Sequence, residues 1–269
     1  MCIRDRLIGR WIAAHPEAGV TVATKMGRRV DQVPSNYVAA NFRQWVDRSR
    51  ENLGQDTLDL VQLHCPPTAV FEDDAVYDAL DGLVSDGSIA AYGVSVETAD
   101  QALTAIARPG VASVQVILNA FRLKPLDAVL PAALEAGVAV LARVPLASGL
   151  LSGKYTTDTE FAPEDHRTYN RHGEAFDQGE TFSGVPFDDG VQAAQEFAAA
   201  LPEGVSVPQA ALAWVIAQDG VTAAIPGARN AEQARSNAQA GSLDTPADLD
   251  ATVRDLYDRW FRATVHERW

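Results

Sequence analysis

Six short apolar runs, separated by stretches of helical periodicity, constrain the fold of this 269-residue chain more than any other feature. They occupy residues 20–24, 58–63, 90–94, 113–117, 138–142 and 221–225. Each is almost continuously apolar instead of alternating, as a strand covered on both faces must be. Between the first two runs, Val38, Phe42, Trp45, Val46, Ser49 and Leu53 fall on one helical face, with Arg43, Asp47, Arg50 and Glu51 opposite. Ser35 is the candidate N-cap of that helix, and Gly54 is placed to end it. Comparable helices are predicted over 74–84, 99–107, 126–136, 190–200 and 207–217. Strand, helix, strand in repetition means a parallel sheet with helical crossovers.

A closed (β/α)8 barrel and an open doubly wound sheet both fit that alternation. The length suits one barrel of about 250 residues, and no Gly-x-Gly-x-x-Gly turn of the open-sheet type follows any run. Polar residues also recur where the runs end: Lys25, His64, Ser95, Arg143 and Pro226-Gly227, with Gln115 inside its run. In a parallel barrel these ends share one rim, where active sites are built. Taken singly, such a lysine is commonly a solvated loop residue and such a histidine a hydrogen-bonded core residue. Jointly they predict one pocket that gathers Lys25, His64, Ser95, Gln115, Arg143 and Gly227.

Residues 152–189 are rich in Gly, Asp, Glu, Thr and Arg and have no clear period. A loop of that length inside a compact domain is usually functional, so it is expected to cover the mouth of the pocket. Its Asp165-His166-Arg167 and Arg171-His172 clusters read as solvated charge.

Composition removes other classes. A formal net charge of −14 opposes nucleic acid and anionic membranes. The two cysteines, Cys2 and Cys65, are too few for a disulfide framework. No apolar run approaches the ~18 residues of a membrane span, and the opening residues carry no secretory apolar core, so a cytoplasmic protein is expected. His15, His166, His172 and His266 lack metal-ligand spacing, and no metal is expected.

The ordered segments resemble the aldo/keto reductase family. Ala23-Thr24-Lys25-Met26-Gly27 is similar to its lysine segment, and Asp59-Leu60-Val61-Gln62-Leu63-His64 to its histidine segment. Gly93-Val94-Ser95, the Gln115 strand, the run Pro145-Leu146-Ala147-Ser148-Gly149-Leu150-Leu151-Ser152-Gly153-Lys154 and Ile225-Pro226-Gly227-Ala228-Arg229 are similar to its cofactor segments, in the family's order. The resemblance implies a TIM barrel that reduces an aldehyde or ketone to an alcohol with NADPH, NAD being the less favoured cofactor. It implies catalytic roles for Lys25 and His64. Ser95 and Gln115 would meet the nicotinamide carboxamide, and Arg143 would stand where an aromatic side chain commonly stacks on the nicotinamide. Pro145, Leu146, Ser148 and Lys154 would cover the pyrophosphate. Gly227, Arg229, Gln233 and Asn237 would hold the adenosine end, with Arg229 on the 2′-phosphate.

The family also uses a tyrosine acid and an aspartate, both expected ahead of Lys25. No tyrosine precedes Lys25, and Asp5 is the one aspartate there. The expectation is therefore a barrel lacking its first two strands: residues 1–6 a leader outside the family pattern, residues 7–269 one incomplete barrel, and turnover lost. The strands holding Val22 and Ala224 should then have unpaired edges. The alternative is a nicotinamide-binding regulatory or sensor subunit without catalysis.

Overall fold

A computed structural model describes residues 2–269. Six strands, β1 (Ala23–Met26), β2 (Leu58–His64), β3 (Ile89–Ser95), β4 (Val111–Ile117), β5 (Ala139–Arg143) and β6 (Val221–Ala224), follow one another across the sheet in sequence order. The described pairings are parallel. The result is a parallel α/β sheet with surrounding helices, as the alternation predicts. β1 and β6 stand at the two ends of the strand order, the edges expected to lack partners.

The strand boundaries sharpen the reading of the run ends. β1 starts three residues later than its apolar run, because the Asp59 carboxylate accepts the Val22 N–H at 2.8 Å and leaves Val20 and Thr21 exposed. Lys25 is thus inside β1 and not after it. His64, Ser95 and Arg143 are likewise the last residues of their strands, since the ladder extends to include them.

Two compact units divide the chain. Unit 1 holds the residues up to Val96, Asp100–Gln115 and Ala136–Val138. Its helices are α1 (Cys2–Ala14), α2 (Ala39–Leu53), α3 (Thr68–Glu72), α4 (Asp74–Ser85) and most of α5 (Ala99–Ile106). α2 buries Phe42, Trp45, Val46, Ser49 and Leu53, as its periodicity predicts, and Gly54 ends it with φ 68° and an N–H bonded to the Arg50 carbonyl. Ser35 is not its N-cap. Pro34–Asn36 forms a separate 3-10 turn that lets Tyr37 pack edge-on against Phe42 and Trp45. Burial of that ring outweighs the capping preference of serine, and Val38, expected on the buried face, takes the cap position and is 46% exposed.

α1 crosses α2 at Gly9, where an added Cβ would lie 2.7 Å from the Asn52 and Leu53 carbonyl oxygens. Its Ile3, Leu7 and Trp11 side chains stay exposed. Of the six residues expected to form a leader, Met1 lies outside the described residues and Cys2–Arg6 belong to α1.

Unit 2 holds Glu97–Ala99, Val116–Glu135 and Ala139–Trp269. It contains most of α6 (Val129–Ala136), then α7 (His166–Tyr169), α8 (Phe187–Ala199), α9 (Val207–Ile216), α10 (Ala231–Gln239) and α11 (Leu249–Trp260). Leu150, Phe182, Phe197, Val215, Val253, Tyr257 and Phe261 are at most 1% exposed and form its core. Residues 152–189 are a folded piece with a small core of their own. Tyr155, Phe161, Phe182 and Phe187 meet at ring separations of 5.0–6.3 Å. The Arg167 guanidinium lies 4.2 Å over Phe161, and that of Arg171 lies 4.9 Å over Phe187. These aromatic residues come at irregular spacings, so no period reveals them.

Candidate active site

Unit 1 presents a polar face built by strand register. Lys25 pairs with Gln62, Gln62 with Gly93, and Gly93 with Ser113. Two residues further along, His64 pairs with Ser95 and Ser95 with Gln115. Side chains two apart on a strand share a face, so Lys25, Gln62, His64, Ser95, Ser113 and Gln115 all project to one side.

Gly93 makes this face possible. The Gln62 side chain crosses β3 there, and its Nε2 donates to Ser113 Oγ at 3.0 Å. A Cβ on Gly93 would stand 2.2 Å from that oxygen. Gln115 Nε2 in turn donates to Gln62 Oε1 at 3.0 Å, and Ser95 Oγ lies 2.8 Å from Cys65 Sγ. Gln62 and Ser95 are completely buried and Gln115 nearly so. The two expected carboxamide ligands therefore already hold one internal partner each, which fixes their rotamers.

Lys25 and His64 are half-buried. Lys25 lines a small recess with Asp5, Gly27, Trp45, Arg48 and Ser49. Asp5, the one aspartate ahead of Lys25, is buried and accepts a hydrogen bond from Thr24 Oγ1 at 3.2 Å. Tyr37 packs close to Gly27, but its hydroxyl donates to Gln32 Oε1 at 2.9 Å. Burial pushes this phenol up to about 12, against the partial opposition of the Arg28 charge. It is poorly matched to proton donation near neutral pH.

Unit 2 contains a cleft of about 980 Å³. The loop after β5 contributes Val144, Pro145, Leu146, Ser148 and Lys154 to it, and the segment after β6 contributes Gly227, Arg229 and Gln233. The loop after β5 is tightly wound. Val144, Ala147 and Ser148 all have φ between 47° and 54°, a region costly for side-chain-bearing residues. Its hydrogen bonds hold it there: Ser148 Oγ donates to the Glu180 carbonyl and accepts from the Phe182 N–H, and Asn119 Nδ2 donates to the Val144 carbonyl at 2.9 Å.

At α10, Asn230 caps the helix by accepting the Gln233 N–H, and Gln233 Oε1 accepts the Arg229 N–H at 2.8 Å. Asn237 donates to the Gly227 carbonyl at 3.1 Å and is not among the cleft-lining residues. It shapes the Gly227 turn.

Arg143 is 7% exposed and held by two carboxylates. Its Nη2 lies 2.7 Å from Glu97 Oε2, and its Nη1 lies 3.5 Å from Glu180 Oε1. Arg167 corrects the reading of Asp165-His166-Arg167 as solvated charge. It is 8% exposed, and its Nε donates to Asp165 Oδ1 at 2.8 Å while that same oxygen caps α7. The guanidinium holds the Asp165 carboxyl well below the usual range, and burial lowers the neighbouring His166. Sequence reasoning missed Glu97, Glu180, Asn119 and Ser183. The Asp165-x-Arg167 spacing was a readable cap signal, and nothing local marked the others.

The donor set of the cleft fits an anionic dinucleotide. Lys154 and Arg229 are exposed cations, and α10 offers N–H groups at its start. The volume lies at the upper end of the ~300–1,000 Å³ usual for small-molecule sites.

The sequence profile described as "Aldo/keto reductase family" matches residues 2–257. The chain belongs to the aldo/keto reductase family. It is 28% identical over 261 residues to the aldo-keto reductase str7 of Strobilurus tenacellus, with 94% of this chain and 73% of that protein covered. It is 27% identical over 264 residues to the NADH-specific methylglyoxal reductase of Escherichia coli, covering 92% and 77%. Among solved structures, the glycerol dehydrogenase AKR11B4 from Gluconobacter oxydans superposes with a TM-score of 0.76 at 29% identity, covering 96% of this chain and 77% of that one. This aldo/keto reductase is thus an oxidoreductase of a family that works with nicotinamide cofactors. Among the described residues no helix is long and apolar enough to cross a membrane.

Proposed function

We propose that this aldo/keto reductase binds NADP(H) in the cleft of unit 2 and belongs to the branch of chemistry that reduces a small aldehyde or ketone to its alcohol. One observation carries this reading. Pro145, Leu146, Ser148, Lys154, Gly227, Arg229 and Gln233, named from sequence for cofactor contacts, line one cavity. Lys154 would take a pyrophosphate oxygen and Arg229 the 2′-phosphate. The name of the Escherichia coli relative makes the second contact the one to test. Ser95 and Gln115 of unit 1, given to the carboxamide by the resemblance, each keep hydrogen-bonding capacity beyond their internal partner. Arg143 lies at the nicotinamide ring in this reading.

The cofactor supplies the hydride when bound. Alkoxide charge then needs a proton donor and a polarising environment. Lys25 contributes a cation and His64 a ring that orients the carbonyl. The phenol that packs close to Gly27, that of Tyr37, is bonded to Gln32 and raised instead of lowered. We therefore propose that the 269-residue polypeptide binds cofactor without normal turnover, and the same observation favours a nicotinamide-sensing role as the second reading.

Fluorescence titration with NADPH and NADH tests this. NADPH is expected to bind at least about tenfold more tightly, and Arg229→Ala to remove that preference. Aldehyde-dependent NADPH oxidation should be absent. Equal binding of the two cofactors, or robust turnover, would refute the respective parts.

A further inference from the structure

The charge around Arg143 is reversed by its neighbours. Glu97 and Glu180 both reach its guanidinium, and their side chains are 14% and 25% exposed against 9% for Arg143. The same neighbourhood holds Arg122, 2% exposed, whose Nη2 donates to the Glu97 carbonyl at 2.8 Å, and Asp177, which acts electrostatically on Arg122. Two cations and three carboxylates leave this cluster with one net negative charge. Glu180 itself lines the cleft, and Val144, the residue after Arg143, lines it too. Of the other charged groups that line the cleft, Asp165 and Arg167 form an ion pair, and Lys154 and Arg229 are the exposed cations that this reading gives to the cofactor phosphates.

We propose that the Arg143–Glu97–Glu180 cluster is a specificity determinant for the redox state of the cofactor, selecting the oxidised, cationic nicotinamide over the neutral reduced one. This rests on the reading that places the nicotinamide at Arg143. An isolated arginine there would repel the oxidised ring. With two carboxylates on the guanidinium the local field changes sign, and partial burial keeps it from being screened. The cleft then binds the oxidised cofactor preferentially, which biases the bound equilibrium toward oxidised cofactor and alcohol, the direction of carbonyl reduction.

The test is calorimetric titration of NADP+ and NADPH on the full chain, as wild type, Glu97→Gln, Glu180→Gln and Arg143→Lys. Each glutamine variant removes one negative charge with little change of shape. It should raise the ratio of the NADP+ to the NADPH dissociation constant on the order of tenfold. Arg143→Lys keeps the charge and should leave the ratio unchanged even if both affinities weaken. Parallel loss of both affinities in the glutamine variants, or an unchanged ratio, overturns the inference while leaving the cofactor site intact. Failure of the wild-type chain to bind either form would instead overturn the cofactor reading, and this inference with it.

Discussion

Replacing Trp269 with alanine should both destabilise unit 2 and loosen its cofactor cleft. The indole is 8% exposed and lies between two guanidinium groups, those of Arg122 and Arg268, each 4.3 Å from the ring. Its Nε1 donates to Asp177 Oδ1 at 2.8 Å. It fills space that Gly184 leaves open, since a Cβ on that glycine would lie 2.2 Å from the ring. Truncating a buried tryptophan costs about 3–5 kcal/mol, and that range already includes most of the lost stacking and hydrogen bond. Against a typical total stability of about 5–15 kcal/mol the loss is large. The segment released, 177–184, carries Glu180 and Ser183. Through them it secures Arg143, Asn119 and Ser148. Urea unfolding followed by circular dichroism should show the lower midpoint. Hydrogen exchange should show faster exchange at Phe182 and Gly184, and NADPH affinity should fall. Trp269→Phe should recover part of each effect. An unchanged midpoint with unchanged exchange at those amides would refute the reasoning.

Gly93→Ala should cost at least about 3 kcal/mol by overpacking, because its methyl would meet both Ser113 Oγ and the Ser113 carbonyl, at 2.2 and 2.4 Å. Thermal unfolding measures the loss, and a wild-type melting temperature would contradict the crossing of β3 by Gln62. The Asp165 carboxyl is held low by the Arg167 hydrogen bond. Its contribution is complete above the unfolded value of about 4 and is lost as pH falls through the folded value. Wild type should therefore lose more stability than Asp165→Asn between about pH 5 and pH 3, and equal losses would show that the pair contributes nothing.

The sheet and half of the candidate site were legible because strand physics leaves a regular trace. A strand covered on both faces must be apolar almost throughout, so a polar residue within it or at its end stands out. That is how Lys25, His64, Ser95, Gln115 and Arg143 could be singled out by residue. Register then explains why the first four share a face. Ser35 misled because a turn that buries Tyr37 intervenes before the helix. Residues 152–189 were opaque for a different reason. Their core is held by aromatic rings and arginines far apart in sequence, and neither helix nor strand period connects Tyr155, Phe161, Arg167 and Phe182.

The same distinction bears on what Arg143 does. Its position at a strand end marks it for the site, and the resemblance by itself only puts a cation where an aromatic side chain commonly stacks on the nicotinamide. Its electrostatic character is set by Glu97, two residues past the end of another strand, and by Glu180, inside the opaque segment. A residue's place in a parallel sheet can be read from its own run of sequence, whereas its effective charge depends on partners that only the folded chain identifies. The three side chains form one electrostatic unit whose sign differs from that of the arginine alone. Substituting Arg143 by itself would leave two partly buried carboxylates without their cation, so the resulting loss would measure that penalty and not the role of the guanidinium. Neutralising one carboxylate at a time keeps the arginine paired and isolates the field at the cleft.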